Sequence, residues 1–260
     1  MRKSPEKSFV ETDKYTIKLP SGNRSLLIES TLAQTESDFL NVLRRIRPGQ
    51  RLNAVDRACL CTFTAAMQAR TIRKGEHWKH KNEHLHDTVV VMEKAHAVEP
   101  HTSLQTKNLV DYAHQHIIAM AITQPTPLLF QMPMTIITTD DEDGFITSDA
   151  PCVWFNPKLH TFPPFYRYPG LAQKDIEVTM PLTPHHLLLM SHTEFPPYQG
   201  VAAHVVVEFN RGTRHYCTDE FVPWKGTLRE IWFNLRKKPD DCLEDTEEGK
   251  RALAELAQPE

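Results

Sequence analysis

No run of about 18 consecutive apolar residues occurs anywhere in the chain, which excludes a membrane-spanning helix. The opening MRKSPEKSFVETDKY is basic but has no apolar stretch behind it, so no signal peptide is expected. Glycine is scarce, 9 residues against 19 prolines, and each glycine stands alone. Neither GxGxxG nor GxxxxGKS/T is present, which disfavours nucleotide chemistry of those two types. The five cysteines (Cys59, Cys61, Cys152, Cys217 and Cys242) are odd in number and form no CxxC pair. That pattern fits reduced intracellular thiols better than a disulfide framework, and Cys59 and Cys61 read as core or interface thiols. A formal net charge of -3 gives no global pull toward nucleic acid or an anionic membrane, so any such binding must use a local patch. A cytoplasmic protein with no membrane segment is the expectation.

What is present begins with an ordinary globular composition, 40% hydrophobic and 24% charged. Residues 15–28 read as a hairpin turning at Ser21-Gly22-Asn23. From about Glu29 the period becomes helical, with Leu32, Phe39, Leu40, Leu43 and Ile46 on one stripe until Pro48-Gly49. Asn53 is placed to cap a second helix with Asp56 in its first turn, and Val55, Cys59, Phe63, Ala66 and Met67 make its expected buried face. Gly75 marks an expected break, followed by helices over about 76–97 and 104–123, the latter with Leu109, Ala113, Ile117 and Met120 in register.

After Gln124-Pro125-Thr126-Pro127 the pattern changes. LLFQMPMTIITT and FITS read as two strands of a hairpin joined by the acidic turn Asp140 to Gly144. CVWF, IEVTMPL and HLLLMS supply further strands around a proline-aromatic loop, and Val201 to Arg211 fits helix or strand equally. TLREIWFNLRKK reads as a short amphipathic helix ahead of an acidic tail. The expected class is α+β: a helical first half packed on a mostly antiparallel sheet formed largely by the second half. One domain is expected over 1–238, helical over about 29–123 and sheet-rich over about 124–222, with the tail at 239–260.

Three constellations are candidates for chemistry. His77, His80, His84 and Asp87 fall on one helical face, and His80/His84 have the i, i+4 spacing that chelates a divalent metal. The interleaved lysines argue instead for a solvated face, and the HExxH order is absent. The basic cluster Arg70, Arg73, Lys74, Lys79 and Lys81 surrounds Trp78 and could hold phosphate or stack on a base, making an anionic ligand or nucleic acid the candidate partner. Arg70 lies on the expected buried column, where a long cation must be paired or must line a cleft. In FITSDAP, Asp149 is placed either to hold a corner by accepting backbone N–H groups or to act as an acid, base or metal ligand. Ser148 is a candidate nucleophile without a GxSxG elbow around it.

Taken in order, E-x-x-L-A-x-x-E (Glu29 to Glu36), Q-A-R-T (Gln68 to Thr71), F-I-T-S-D-x-P (Phe145 to Pro151), P-L-T-P-x-x-L-L-L (Pro181 to Leu189) and E-F-N-R (Glu208 to Arg211) give a chain that resembles the bacterial domain-of-unknown-function family 4238 over roughly residues 15–220. The resemblance implies an α+β domain, brings no established reaction, and makes Arg70, Ser148, Asp149 and Asn210 the first residues to inspect. It departs from the family at the start, where no Q-H-Y-x-P-like segment is seen. Two functional expectations stand side by side. One is a hydrolase of a phosphodiester or other anionic substrate, with Asp149 as acid/base or metal ligand and Arg70 holding the anion. The other is a non-catalytic binding or regulatory module in which Asp149 and Arg70 form a buried structural pair.

Overall fold

The computed structural model describes residues 14–18, 23–47, 50–96, 100–164, 167–226 and 228–233. The expected turn at Ser21-Gly22, the stop at Pro48-Gly49, the acidic tail and half of the final amphipathic segment lie outside them. The class is α+β, and the chain gathers into two compact units, each assembled from separate stretches of sequence.

The first unit comprises Met1–Met132, Thr147–Cys152 and Cys217–Val222. It opens with the small antiparallel pair β1 (Ile17–Lys18) and β2 (Arg24–Ser25). Helix α1 (Leu27–Leu43) then buries Leu32, Phe39 and Val42, leaving Leu40 about half exposed. Helix α2 (Ala54–Ala69) starts at the expected cap: Asn53 Oδ1 accepts the Asp56 N–H at 2.8 Å, and the Asp56 carboxylate returns to the Asn53 N–H. Its buried face differs from the expected one. Asp56, Leu60, Cys61, Thr64, Ala65, Ala66 and Ala69 turn inward, while Val55 is 75% exposed. Small residues occupy much of that face, so the neighbouring helices, not the sizes of the side chains, select which stripe is covered. Tyr15, Leu32, Ala66, Ala69 and Ile118 close this core, and Phe39 stacks on Phe63 with centroids 3.7 Å apart.

Gly75 is no break. It lies inside α3 (Ile72–His96), where a Cβ would come within 3.0 Å of the His114 ring, so the glycine permits a close approach rather than a turn. The helix expected over 104–123 is two, α4 (His101–Asp111) and α5 (Ala113–Thr123), separated at Tyr112 with φ -121° and ψ 34°. Helix α3 has no fully buried residue and meets α4 through polar groups. Asn82 donates to the Leu109 carbonyl, His86 meets Thr106 Oγ1, and Glu93 accepts the N–H groups of Thr102 and Ser103 at the start of α4. Residues 128–131, expected as the start of a strand, belong instead to α6 (Pro125–Gln131). Both prolines sit in its first turn, where the missing N–H groups have no helical partner to lose.

The second unit comprises Pro133–Ile146, Val153–Tyr216 and Pro223–Glu260. Its sheet holds β3 (Met134–Thr138), β5 (Val153–Phe155), β6 (Glu177–Thr183), β7 (His186–Ser191) and β8 (Tyr198–Gly200) in the order β5-β6-β7-β3-β8. All pairs are antiparallel except β3 with β8. The ambiguous segment after Val201 is a helix, α7 (Ala203–Tyr216), whose Val206 and Phe209 cover Ile137, Phe145, Leu187 and Leu189. Gly144 has φ +60°, and a Cβ there would lie 2.4 Å from the Pro184 carbonyl oxygen, so only glycine fits the acidic turn. The last element among the described residues is a 3-10 turn, Glu230–Phe233, inside the segment expected as an amphipathic helix.

The hairpin expected between β3 and FITS does not form. Strand β4 (Thr147–Ser148) pairs antiparallel with β9 (Phe221–Val222), and both edges of β3 are taken by β7 and β8. The acidic turn is local, but a two-residue strand is too short to direct its own pairing.

Candidate functional site

The polar corner after β4 belongs to the first unit and is held from both sides. Asp149 Oδ1 accepts the Thr218 N–H at 2.9 Å, and Oδ2 accepts those of Asp219 at 2.6 Å and Glu220 at 3.2 Å. In the reverse direction the Asp149 N–H donates to the Glu220 carbonyl at 2.8 Å. Three successive amides converging on one carboxylate make an anion-binding concavity, filled by the chain's own acid. Ser148 is buried, and its Oγ accepts the Ala150 N–H at 3.1 Å. The hydroxyl thus braces the turn locally.

Arg70 is the C-cap of α2, and its guanidinium pairs with Glu36 on α1 while lying 5.7 Å from the Tyr15 ring centroid. Burial works against its charge, and Glu36 and Tyr15 more than offset this, holding the guanidinium above its ordinary value. The partner expected for Arg70 was Asp149, and that is corrected: each group is satisfied by something else. Sequence reasoning missed Glu36. A signal existed, because Glu29 and Glu36 are seven residues apart on the side of α1 that carries Leu32. Both do work there, Glu29 accepting the Tyr15 N–H at 3.0 Å. His114 on α5 completes the neighbourhood, with Nε2 2.7 Å from the Ala69 carbonyl and its ring edge-on to Tyr15.

In the second unit Asn210 is buried on α7, and its amide spans a turn: Oδ1 accepts the Ile146 N–H at 3.0 Å and Nδ2 donates to the Gly144 carbonyl at 2.9 Å. An asparagine whose amide is used in both directions fastens backbone.

The histidines of α3 point to water. His80 is 88% exposed with Nδ1 3.8 Å from a Glu83 oxygen, and His84 is also exposed. His86 turns toward α4 instead. Among the described residues no group of three or more His, Cys, Asp or Glu side chains is gathered to hold a metal ion.

The basic cluster resolves into unlike parts. Arg70 is committed to Glu36, and Lys79 lies 4.0 Å from Glu83. Lys74, Trp78 and Lys81 lie on one stripe of α3, four and three residues apart. The Lys81 ammonium sits 5.0 Å from the Trp78 ring centroid, and His77 approaches the same ring edge-on at 5.8 Å and 78°. Lys74 is half-buried, and among the described residues no carboxylate pairs with it. Burial pushes its ammonium below the ordinary lysine value, and Lys81 adds to the depression. His77 is lowered too, by burial first and then by Lys81, Lys74 and His80. Uncompensated positive charge is concentrated here.

No helix among the described residues is long and apolar enough to cross a membrane. No curated protein and no solved structure matches the chain. Residues 1–222, which carry the Glu36–Arg70 pair, the α3 stripe and the Asp149 corner, match the model of the family described as a protein of unknown function, DUF4238, and the chain belongs to that family.

Proposed function

We propose that this protein is a cytoplasmic, bacterial, non-catalytic binding module for a phosphate-bearing anionic ligand, held along the α3 stripe by Lys74 and Lys81 with Arg73 beside them. The observation that carries this reading is Lys74. A half-buried ammonium with a second lysine on its own face and no carboxylate partner among the described residues is a charge whose compensation comes from outside the chain. The hydrolytic alternative draws on Asp149 and Arg70, and both are otherwise engaged. Asp149 already spends three of its about four acceptor positions on backbone amides, and Arg70 would have to leave Glu36 to hold an anion.

The test pairs binding with chemistry. Purified protein titrated with inorganic polyphosphate should bind in a salt-sensitive way, and the Lys74→Glu/Lys81→Glu double variant should bind at least ~10-fold more weakly. Equal affinity in the variant sinks the reading. Cleavage of labelled DNA or RNA in the presence of Mg²⁺, Mn²⁺ or Zn²⁺, lost in Asp149→Asn, would replace it with the hydrolase.

A further inference from the structure

We infer that the ligand of the α3 stripe is a single-stranded nucleic acid, one base of which stacks on the Trp78 indole in the place now taken by Lys81. This rests on the anion-binding reading above and adds the chemistry that selects among anions. A phosphate or a simple polyanion needs only cations, whereas this stripe places an aromatic ring between two of them. The Lys81 ammonium over that ring marks it as a face that accepts a cation or a π-system. Stacking with a nucleobase is the stronger of these two contacts, so exchange is favourable, and the displaced Lys81 is left beside the adjoining phosphate. Lys74 and Lys81 are separated by two helical turns, about 10 Å along the axis, more than one phosphate spans. The stripe therefore suits a chain of nucleotides better than a mononucleotide. A duplex hides the faces of its bases, so the strand must be single. His77 lies edge-on to the same ring, a further polar group beside the indole.

The experiment measures fluorescence anisotropy of a labelled oligouridylate, with a duplex of matched length and inorganic polyphosphate as competitors, on the full chain and its Trp78→Ala and Trp78→Phe variants. The expected results are quenching of tryptophan fluorescence on binding, a roughly ten-fold loss of oligouridylate affinity in Trp78→Ala, near-complete recovery in Trp78→Phe, and unchanged polyphosphate binding in both. A thermal melt of each variant checks folding, and Trp78→Phe carries the test if Trp78→Ala does not fold: quenching lost with affinity kept in that variant still locates the stacked ring. Duplex bound as tightly as single strand, or oligouridylate binding indifferent to Trp78, overturns the inference. If polyphosphate binds and oligouridylate does not, the nucleic-acid assignment falls while the anion site stands. If neither binds, the anion site itself falls.

Discussion

Asp149 and Lys74 are charged groups of the same helical unit, both drawn partly out of water, and the chain treats them in opposite ways. Asp149 receives three backbone N–H groups, a set of donors that leaves its two oxygens little to offer a substrate. Lys74 receives no carboxylate among the described residues and has Lys81 for a neighbour. A charge removed from water must be compensated, and the source of compensation divides structural charges from functional ones. The residue with the more suggestive local motif, Asp149, turns out to fasten backbone. The less remarkable lysine is the one left open to a partner.

The largest effect should follow from emptying the corner. Asp149→Ala leaves the amides of Thr218, Asp219 and Glu220 without their acceptor, and we expect a loss of about 3 kcal/mol in urea denaturation. Asp149→Asn, which keeps one acceptor oxygen, should lose less. Combined with Arg70→Met the two losses should add to within about 0.5 kcal/mol, because the groups have separate partners. A larger coupling would mean that Asp149 and Arg70 act as one pair after all.

A smaller effect comes from a group that the same unit keeps neutral. Burial raises the Cys61 thiol from 9.0 to about 11, against a modest lowering by Arg57. The folded state therefore holds a proton that the unfolded chain has already released. Stability is intact below pH 9.0 and falls as pH rises toward about 11. Melting temperatures across that window should decline for the native chain and decline less for Cys61→Ala; parallel declines would mean that Cys61 does not control the window.

Lys74→Met should change stability least, staying within about 0.5 kcal/mol of the native chain, since no internal ion pair is broken. Polyphosphate affinity should nevertheless drop. A large destabilisation at Lys74 would erase the contrast with Asp149, because it would show the lysine to be held by the fold.

The elements that were legible in advance are those with a local physical cause. Asn53 and Asp56 form a capping box because both groups lie within one turn, and β6 and β7 lie on either side of a short turn with alternating or continuous apolar residues. Local chemistry misled where distant packing decided. Pro125 and Pro127 stand at a helix start as comfortably as at a helix end, so from sequence alone LLF reads as strand. On α2 the expected stripe is right at Ala66 and wrong at Val55, because Ala65 and Ala69 are as easily buried as a valine, and only the neighbouring helices choose between them.

By itself the sequence determined the class, the Asn53 cap of α2, the acidic turn that needs Gly144, and the concentration of basic residues around Trp78. These depend on interactions within a few residues, where propensity, charge and backbone freedom act directly. Only the tertiary structure decided that Asp149 is bound by amides some 70 positions downstream, that Arg70 belongs to Glu36, and that Lys74 belongs to neither. A side chain's type states what partner it requires; which partner reaches it depends on how the chain returns, and that is settled by burial summed over the whole unit.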